Sequence, residues 1–171
     1  AEADFVRLLL RFQSPDAKWR IAEETGRLIA VREEEHMIEK VNLSQKFNLF
    51  QDYWSPRIAG EINDSHVKLA KLKGEFVWHQ HDVEDELFLV VKGHLLIKLR
   101  DPDIQLDAGE FVIIPQGVEH LPVAEEEVQV VLLEPKSTLN TGNVQSDRTV
   151  SNLQYIQTAD RQSIRQNRQS H

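Results

Sequence analysis

The clearest pattern along the chain is a series of short runs in which apolar and polar residues alternate. Runs of about four to eight residues with period two predict half-buried β-strands. Turn-forming residues such as Gly74, Gly93 and Gly109 separate the runs. The predicted strands are 67–72, Phe76–His81, Glu86–Val91, His94–Arg100, Phe111–Ile114 and Val128–Leu133. This spacing predicts an all-β sandwich or barrel and argues against alternating strands and helices.

The first 36 residues have a different pattern. Apolar residues between Phe5 and Phe12 recur at helical spacing, and Ser14-Pro15-Asp16 is a typical helix start. A second helical stretch is predicted from about Asp16 to Ala30. We therefore predict a helical extension over residues 1–36, ahead of the β-domain.

Met37 is the only methionine, and the chain begins at Ala1. One hypothesis is that Met37 is the natural start and that residues 1–36 are an upstream extension. The alternative is a genuine helical extension that packs on the domain or on a partner. Intact mass of the protein from its native host distinguishes the two, since a mass that includes residues 1–36 contradicts the first.

We predict a barrel domain over residues 37–157. A small apolar cluster at Val150–Ile156 is expected to dock on the barrel. The last 14 residues, 158–171, are polar and include three arginines, and this composition predicts a mobile tail.

Composition narrows the class of protein. The chain has 171 residues, of which 40% are hydrophobic and 28% charged, as in a soluble globular domain. A net charge of −8 argues against nucleic acid or an anionic membrane as partner. There is no cysteine, which is compatible with a cytoplasmic location and excludes a thiolate metal site. An apolar run long enough for a transmembrane helix is also missing from the sequence.

The candidate chemistry centres on His79-Gln80-His81. Two histidines at positions i and i+2 of an extended segment place both imidazoles on one face. Glu86 follows an acidic turn, so it can begin the next strand and face inward with Phe88 and Val90. A lone carboxylate on such an apolar face is strongly unfavourable without a cation. This pattern indicates a metal site.

His120 completes the candidate set, because it follows the rigid turn Pro115-Gln116-Gly117. Any single histidine is more often an ordinary core or surface residue, as we expect for His66 and His94. The four together form an N3O set that suits a divalent transition metal and leaves positions open for water or substrate. Iron, manganese, nickel and zinc all fit this set, so the metal's identity stays open.

The same segment resembles the cupin superfamily, and specifically its small single-domain bacterial members. The first cupin motif is matched by Gly74, His79, His81, Glu86 and Gly93, and the second by Gly109, Pro115, Gly117 and His120. Gly74 and His79 are separated by one residue fewer than usual. Ala124 stands where an asparagine is frequent, and that asparagine is not a metal ligand in the family.

The resemblance implies a double-stranded β-helix, a small jelly-roll barrel that binds a metal through His79, His81, Glu86 and His120. It also implies a homodimer. Small cupins of this kind act as dioxygenases, isomerases or lyases on small oxygenated substrates. A non-catalytic module that binds or senses a small molecule through its metal is the alternative, and a structural barrel without metal is the least favoured reading.

Several other residues are candidates for the pocket. Phe88, Phe111 and Trp78 could give it a partly apolar wall, although core packing is the more common role for each. Lys68, Lys98 and Arg100 could anchor an anionic substrate, although such residues on strands usually face outward. An isomerase or lyase needs a placed general base, and the sequence offers no acid–base pair beyond the four ligands.

Overall fold

A computed structural model describes residues 19–24, 27–32, 38 and 40–156. The chain divides into two compact units, Ala1–Lys40 and Val41–His171. Met37, the predicted helix around Phe5–Phe12 and the predicted tail 158–171 lie outside the described residues.

The first unit contains a β-hairpin. Strands β1 (Trp19–Glu24) and β2 (Arg27–Arg32) pair antiparallel, with Glu24 opposite Arg27. The helix predicted from about Asp16 to Ala30 is therefore wrong. Ile21, Ile29 and Val31 are β-branched and favour extended backbone, and a glycine in mid-segment disfavours a helix by about 1 kcal/mol.

The second unit opens with a short helix, α1 (Leu43–Phe47), which begins after the cap Asn42. The Asn42 side chain accepts a hydrogen bond from the Gln45 amide at 3.0 Å. Eight strands follow: β3 (Arg57–Ile62), β4 (Ser65–Glu75), β5 (Glu86–Lys92), β6 (His94–Leu99), β7 (Ile104–Asp107), β8 (Phe111–Ile114), β9 (His120–Pro135) and β10 (Gln154–Tyr155). In the described part of the chain, no helix is long and apolar enough to span a membrane.

Strand β9 organises this sheet. Strand β4 pairs with β9 along nearly its whole length, from Val123 to Pro135, while β5 pairs with the second half of β9 and β6 with its first residues. The main strand order is β10-β3-β4-β9-β5-β8, and β7 joins through β6. One long strand shared in this way lets the β-layers close into a jelly-roll barrel, so the predicted all-β barrel is confirmed.

The main core fills the barrel. Its buried residues include Ala70 and Leu72 from β4, Phe88 and Val90 from β5, and Val128, Val130 and Leu132 from β9. A smaller cluster around Phe47, Phe50 and Leu69 packs on the other face of β4 and receives Ile156. Strand β10 pairs in parallel with β3, so the predicted docking of the 150–156 cluster is confirmed.

Two strand predictions differ from the structure. Residues 76–81 form no continuous strand, because their backbone partners lie in three segments. Phe76 and His79 bond to Pro122 and His120 of β9, Gln80 accepts from Asn143, and His81 accepts from Gly117. The predicted strand 128–133 is the end of the 16-residue strand β9, which begins at His120. The strands at 57–62 and 104–107 were not predicted, since the first does not alternate clearly and the second alternates over only four residues.

Candidate metal centre

The four residues predicted as ligands come together inside the barrel. Each offers one ligand atom, and these atoms all lie within 4.8 Å of one another. All four side chains are buried. Glu86 is the first residue of β5 and His120 the first of β9, while His79 and His81 lie on the irregular segment after β4.

Backbone pairing brings two of the imidazoles together. His79 and His120 exchange both backbone hydrogen bonds, at 3.0 and 2.9 Å, as an isolated antiparallel bridge. Their ring centroids are 4.2 Å apart. The irregular segment therefore holds its first histidine in register with the start of β9, although it is not part of a regular strand.

Hydrogen bonds also define which nitrogen of these rings carries the proton. Nδ1 of His79 lies 3.0 Å from the Val77 carbonyl oxygen, and Nδ1 of His120 lies 3.0 Å from that of Val118. A carbonyl oxygen only accepts, so each Nδ1 is the donor, and in the neutral form of the ring Nε2 then carries the lone pair. Fixing the tautomer through a partner of the outer nitrogen is the usual arrangement for a metal-binding histidine.

The Nε2 atom of His120 is buried and has no hydrogen-bond partner. It lies 3.3 Å from Glu86 Oε2, and an ionised carboxylate has no proton to donate to a neutral ring nitrogen. A buried nitrogen lone pair without a partner is unfavourable unless something binds it. Together with the N3O donor chemistry, this atom indicates that the four residues fit a divalent metal ion.

The charge distribution at the site also suits a cation. Burial, together with the neighbouring His120, lowers the pKa of His79 to about 4. Burial alone would raise the pKa of Glu86, yet His120 and His81 lower it to about 2. At neutral pH the centre therefore presents an ionised carboxylate and a neutral His79, the protonation states that metal binding requires.

His81 is held differently. Its Nε2 lies 3.1 Å from Glu86 Oε2. Burial lowers the pKa of His81, but the hydrogen bond and charge of Glu86 outweigh that effect and raise it overall. A cation between these two groups would take the place of the shared proton, so we expect metal binding to release protons.

A segment after β9 supports the two histidines from outside. We call residues 138–144 the cap segment; Thr138, Asn140 and Thr141 in it are buried. The Asn143 amide donates to the Gln80 carbonyl at 3.0 Å, and the Gln80 amide donates to Asn143 Oδ1 at 3.3 Å. The cap segment thus fixes the residue that lies between His79 and His81.

A cavity of about 30 Å³ opens beside the centre. Two of the candidate ligands, His79 and Glu86, line it. Its other lining residues are mainly apolar: Trp54, Pro56, Ala70, Leu72, Phe76, Phe88, Pro122, Leu132 and Asn140. The Asn140 carboxamide does not reach out for a ligand, because it donates to the Arg148 carbonyl and accepts from the Val150 amide, each at 2.8 Å.

Trp54 forms a rigid part of this wall. Its φ of 58° lies in the left-handed region, which is unusual for a bulky residue. Its indole Nε1 donates to the Lys73 carbonyl at 2.8 Å, its backbone amide donates to Lys71 at 2.9 Å, and its ring stacks on Phe76 at 4.9 Å. The surroundings therefore hold a strained residue in place at the cavity.

The predicted pocket residues have mixed outcomes. Phe88 lines the cavity as expected, whereas Phe111 is exposed and Trp78 does not line it. The Trp78 ring instead packs against the Arg100 guanidinium at 3.9 Å. Period-two alternation in the predicted strand Phe76–His81 puts Phe76 on the face opposite the two histidines, yet it lines the same cavity as His79. The sequence gives no signal for Trp54 or Pro122, whose positions depend on contacts between distant segments.

The three basic residues considered as substrate anchors differ in where they lie. Lys98 and Arg100 are paired at the surface with Glu75 and Glu119, as expected for outward-facing residues. The outward position expected for Lys68 is wrong, because its side chain is fully buried inside the barrel.

The sequence profile of the cupin domain matches residues 65–135, which include all four candidate ligands. A cupin-2 domain containing protein from Shewanella frigidimarina, known from its crystal structure, is 50% identical in sequence to this chain. The match covers 56% of this chain and 94% of the Shewanella chain, and the two structures superimpose with a TM-score of 0.56. The chain belongs to the cupin family. This confirms the resemblance noted in the sequence.

Two curated relatives come from Bacillus subtilis. The uncharacterized protein YdbB is 44% identical over 61 residues, which is 35% of this chain and 54% of YdbB. Acireductone dioxygenase is 27% identical over 75 residues, which is 41% of this chain and 42% of that enzyme. The matches thus span about half the length of each relative.

Proposed function

We propose that this cupin is a metal-dependent enzyme that acts on a small oxygenated substrate, with His79, His81, Glu86 and His120 as the metal ligands. The observation that carries the proposal is the convergence of four buried donor atoms within 4.8 Å, one of which, His120 Nε2, has no other partner. A divalent first-row ion held there would supply Lewis-acid and redox chemistry at one or two open positions.

Among the reactions open to such a centre, a dioxygenase type is the best supported. The cavity wall is mainly apolar, and its one carboxamide, Asn140, is fully engaged with backbone groups. An isomerase or lyase needs a placed general base, and the lining residues include none apart from the ligands themselves. The similarity to acireductone dioxygenase points the same way.

The protein's own groups would then bind and shield the substrate. Phe88, Leu132 and Trp54 exclude water from the space beside His79 and Glu86. The substrate would enter this space with two oxygen atoms toward the ligand cluster and its carbon skeleton against the aromatic wall. A small chelating molecule such as a diketone or a catechol has this polarity.

The test begins with elemental analysis of protein purified without added metal. Metal-free protein is then loaded with Fe(II), Mn(II), Ni(II) or Zn(II), and oxygen uptake is followed with diketone, acireductone-type and catechol substrates. We expect about one metal per chain and oxygen uptake with a chelating substrate. H81A should lose both, whereas H94A, which changes an exposed histidine, should keep both.

Other outcomes would redirect or refute the proposal. Metal binding without turnover of any substrate would favour a non-catalytic binding or sensing module. Isomerisation of a uronate without oxygen uptake would favour an isomerase. Substoichiometric metal in the wild-type protein after loading, or unchanged metal content in H81A, would refute the site itself.

A further inference from the structure

A buried ion pair lies in the same barrel as the candidate ligands. Lys68 Nζ, on β4, donates to Glu134 Oε1, on β9, at 2.6 Å, and both side chains are 0% exposed. Lys68 shares its face of β4 with the core residues Ala70 and Leu72. Neither charge reaches solvent, so each depends on its surroundings inside the protein.

The strand register brings the pair close to the metal centre. Leu133 lies opposite Leu87, so the next inward residues along β9 and β5 are Glu134 and Glu86. Two buried carboxylates therefore occur side by side on neighbouring strands. Lys68 lies on the far side of Glu134, on the strand that pairs with the other edge of β9.

The electrostatics of the pair are consistent with this placement. Burial and the charge of Glu86 raise the pKa of Glu134 to about 7, while Lys68 and His81 act in the opposite direction. The charge of Glu134 is felt at His81, one of the candidate ligands. The negative end of the ion pair is thus turned toward the candidate ligands.

Stability does not explain this arrangement. Removing two charges from water costs several kcal/mol each, and apolar residues in place of a buried ion pair are often neutral or stabilising. The pair is also incompletely satisfied, since Glu134 Oε2 is buried without a hydrogen-bond partner. With a pKa of about 7, the Glu134 carboxyl is only partly ionised in the metal-free protein. A cation entering the ligand cluster favours its ionised form, and Glu134 then provides a negative charge beside the cluster.

We propose that Lys68 and Glu134 support the metal centre electrostatically: Glu134 adds a second buried negative charge beside Glu86, and Lys68 holds that carboxylate in place. Both are positioning residues and neither is a ligand. The inference rests on the proposed function, because it concerns the affinity of the same centre for its ion. Changes to groups around metal ligands typically weaken metal binding by about 10-fold to 100-fold.

The test replaces both charges together. In the full-length double variant K68M/E134L, apolar side chains of similar size fill the barrel, so the thermal midpoint should stay close to that of the wild type. The Kd for Ni(II), measured by competition with a chelator, should rise at least about 10-fold. The matched control is K73Q/E126Q, which removes an exposed pair that also joins β4 and β9 and should leave the Kd unchanged.

A folded K68M/E134L protein that binds Ni(II) within about two-fold of the wild type would overturn the inference and leave the proposed function intact. If K68M/E134L does not fold, K68M/E134Q gives the same test, because it keeps the shape of the Glu134 side chain and removes both charges, whereas E134Q alone would leave the buried Lys68 charge unpaired. A wild-type protein that binds no Ni(II) would instead refute the proposed metal site, and this inference with it.

Discussion

At the scale of single residues, the metal centre depends on which ring nitrogens remain available as metal donors, as well as on which residues lie close together. Each of His79 and His120 donates from Nδ1 to the carbonyl of the residue two positions earlier. This local geometry turns Nε2 toward Glu86 and keeps its lone pair available. A histidine at either position without that carbonyl partner could rotate or change tautomer, and the donor set would lose its shape.

The depressed pKa of His79 gives a testable pH dependence for the metal-free protein. In the unfolded chain His79 takes a proton near pH 6.5, but in the folded protein only near pH 4, because burial disfavours the charged ring. Between these values the unfolded state binds more protons, so stability falls as the pH is lowered from 7 to 4. The full shift corresponds to about 3 kcal/mol.

Urea unfolding of metal-free wild-type and H79A proteins at pH 7 and pH 5 measures this contribution. The wild type should lose more stability than H79A over this interval, because only the wild type carries the buried ring. H94A serves as the control, since His94 is exposed, and should keep the wild-type slope. Equal slopes for wild type and H79A would contradict the assignment.

Single residues also show where sequence reasoning reaches its limit. The ligands could be predicted because their types and spacing carry the information within one stretch of chain. Lys68 could not be placed, because the run 67–72 has apolar residues on both faces and both faces of β4 are in fact covered. Its partner Glu134 is 66 residues away, and only the β4–β9 register shows that they meet.

At the scale of elements, the cap segment acts on the site through the segment that carries the two histidines. Gly142 packs so closely on this segment that an added Cβ would lie 2.0 Å from the Gln80 carbonyl oxygen and 3.3 Å from His81 Nδ1. Its φ of 51° is one that other residues can adopt with modest strain. The close approach therefore makes glycine necessary here.

We accordingly expect G142A to push the cap segment away from Gln80. Overpacking of this kind typically destabilises by about 1–3 kcal/mol, and the displaced histidines should also bind metal more weakly. Thermal unfolding and Ni(II) titration measure the two effects. In the control G109A, the added methyl group meets nothing within 4 Å at a φ of 94°, so that variant shows backbone strain alone. G142A with wild-type metal affinity would mean that the cap segment does not position the histidines.

Strands were predicted well where apolar and polar residues alternate regularly, and poorly where the backbone hydrogen-bond partners change along the segment. The strands beginning at Glu86, His94 and Phe111 were predicted at their starts. Residues 76–81 were not, because Gly74, with a φ of 80°, lies at a register shift in β4 and the chain then bonds to three different segments. The residues of the cavity wall could not be predicted for the same reason, since long-range contacts place Phe76 and Trp54.

At the scale of the whole molecule, one face of the barrel remains unusually apolar. Phe111 and Ile113 on β8 are 60% and 51% exposed, and the half-buried Leu87 and Leu133 lie next to them on β5 and β9. Among the described strands, β8 is at the end of the main strand order. Exposed apolar patches and free strand edges are the features through which sheets associate.

We expect a second copy of the chain to cover this face in the homodimer. A second copy can present the same edge in antiparallel orientation, so that both copies pair their β8 backbones and bury their own Phe111 and Ile113, as a two-fold symmetric contact requires. Light scattering at micromolar concentration should then give twice the chain mass for the wild type and the single mass for F111E/I113E. The control I62E changes an apolar residue of similar exposure at the end of β3 and should remain dimeric. A monomeric wild type would refute the dimer, whereas a dimeric F111E/I113E would show that the two copies meet through another face.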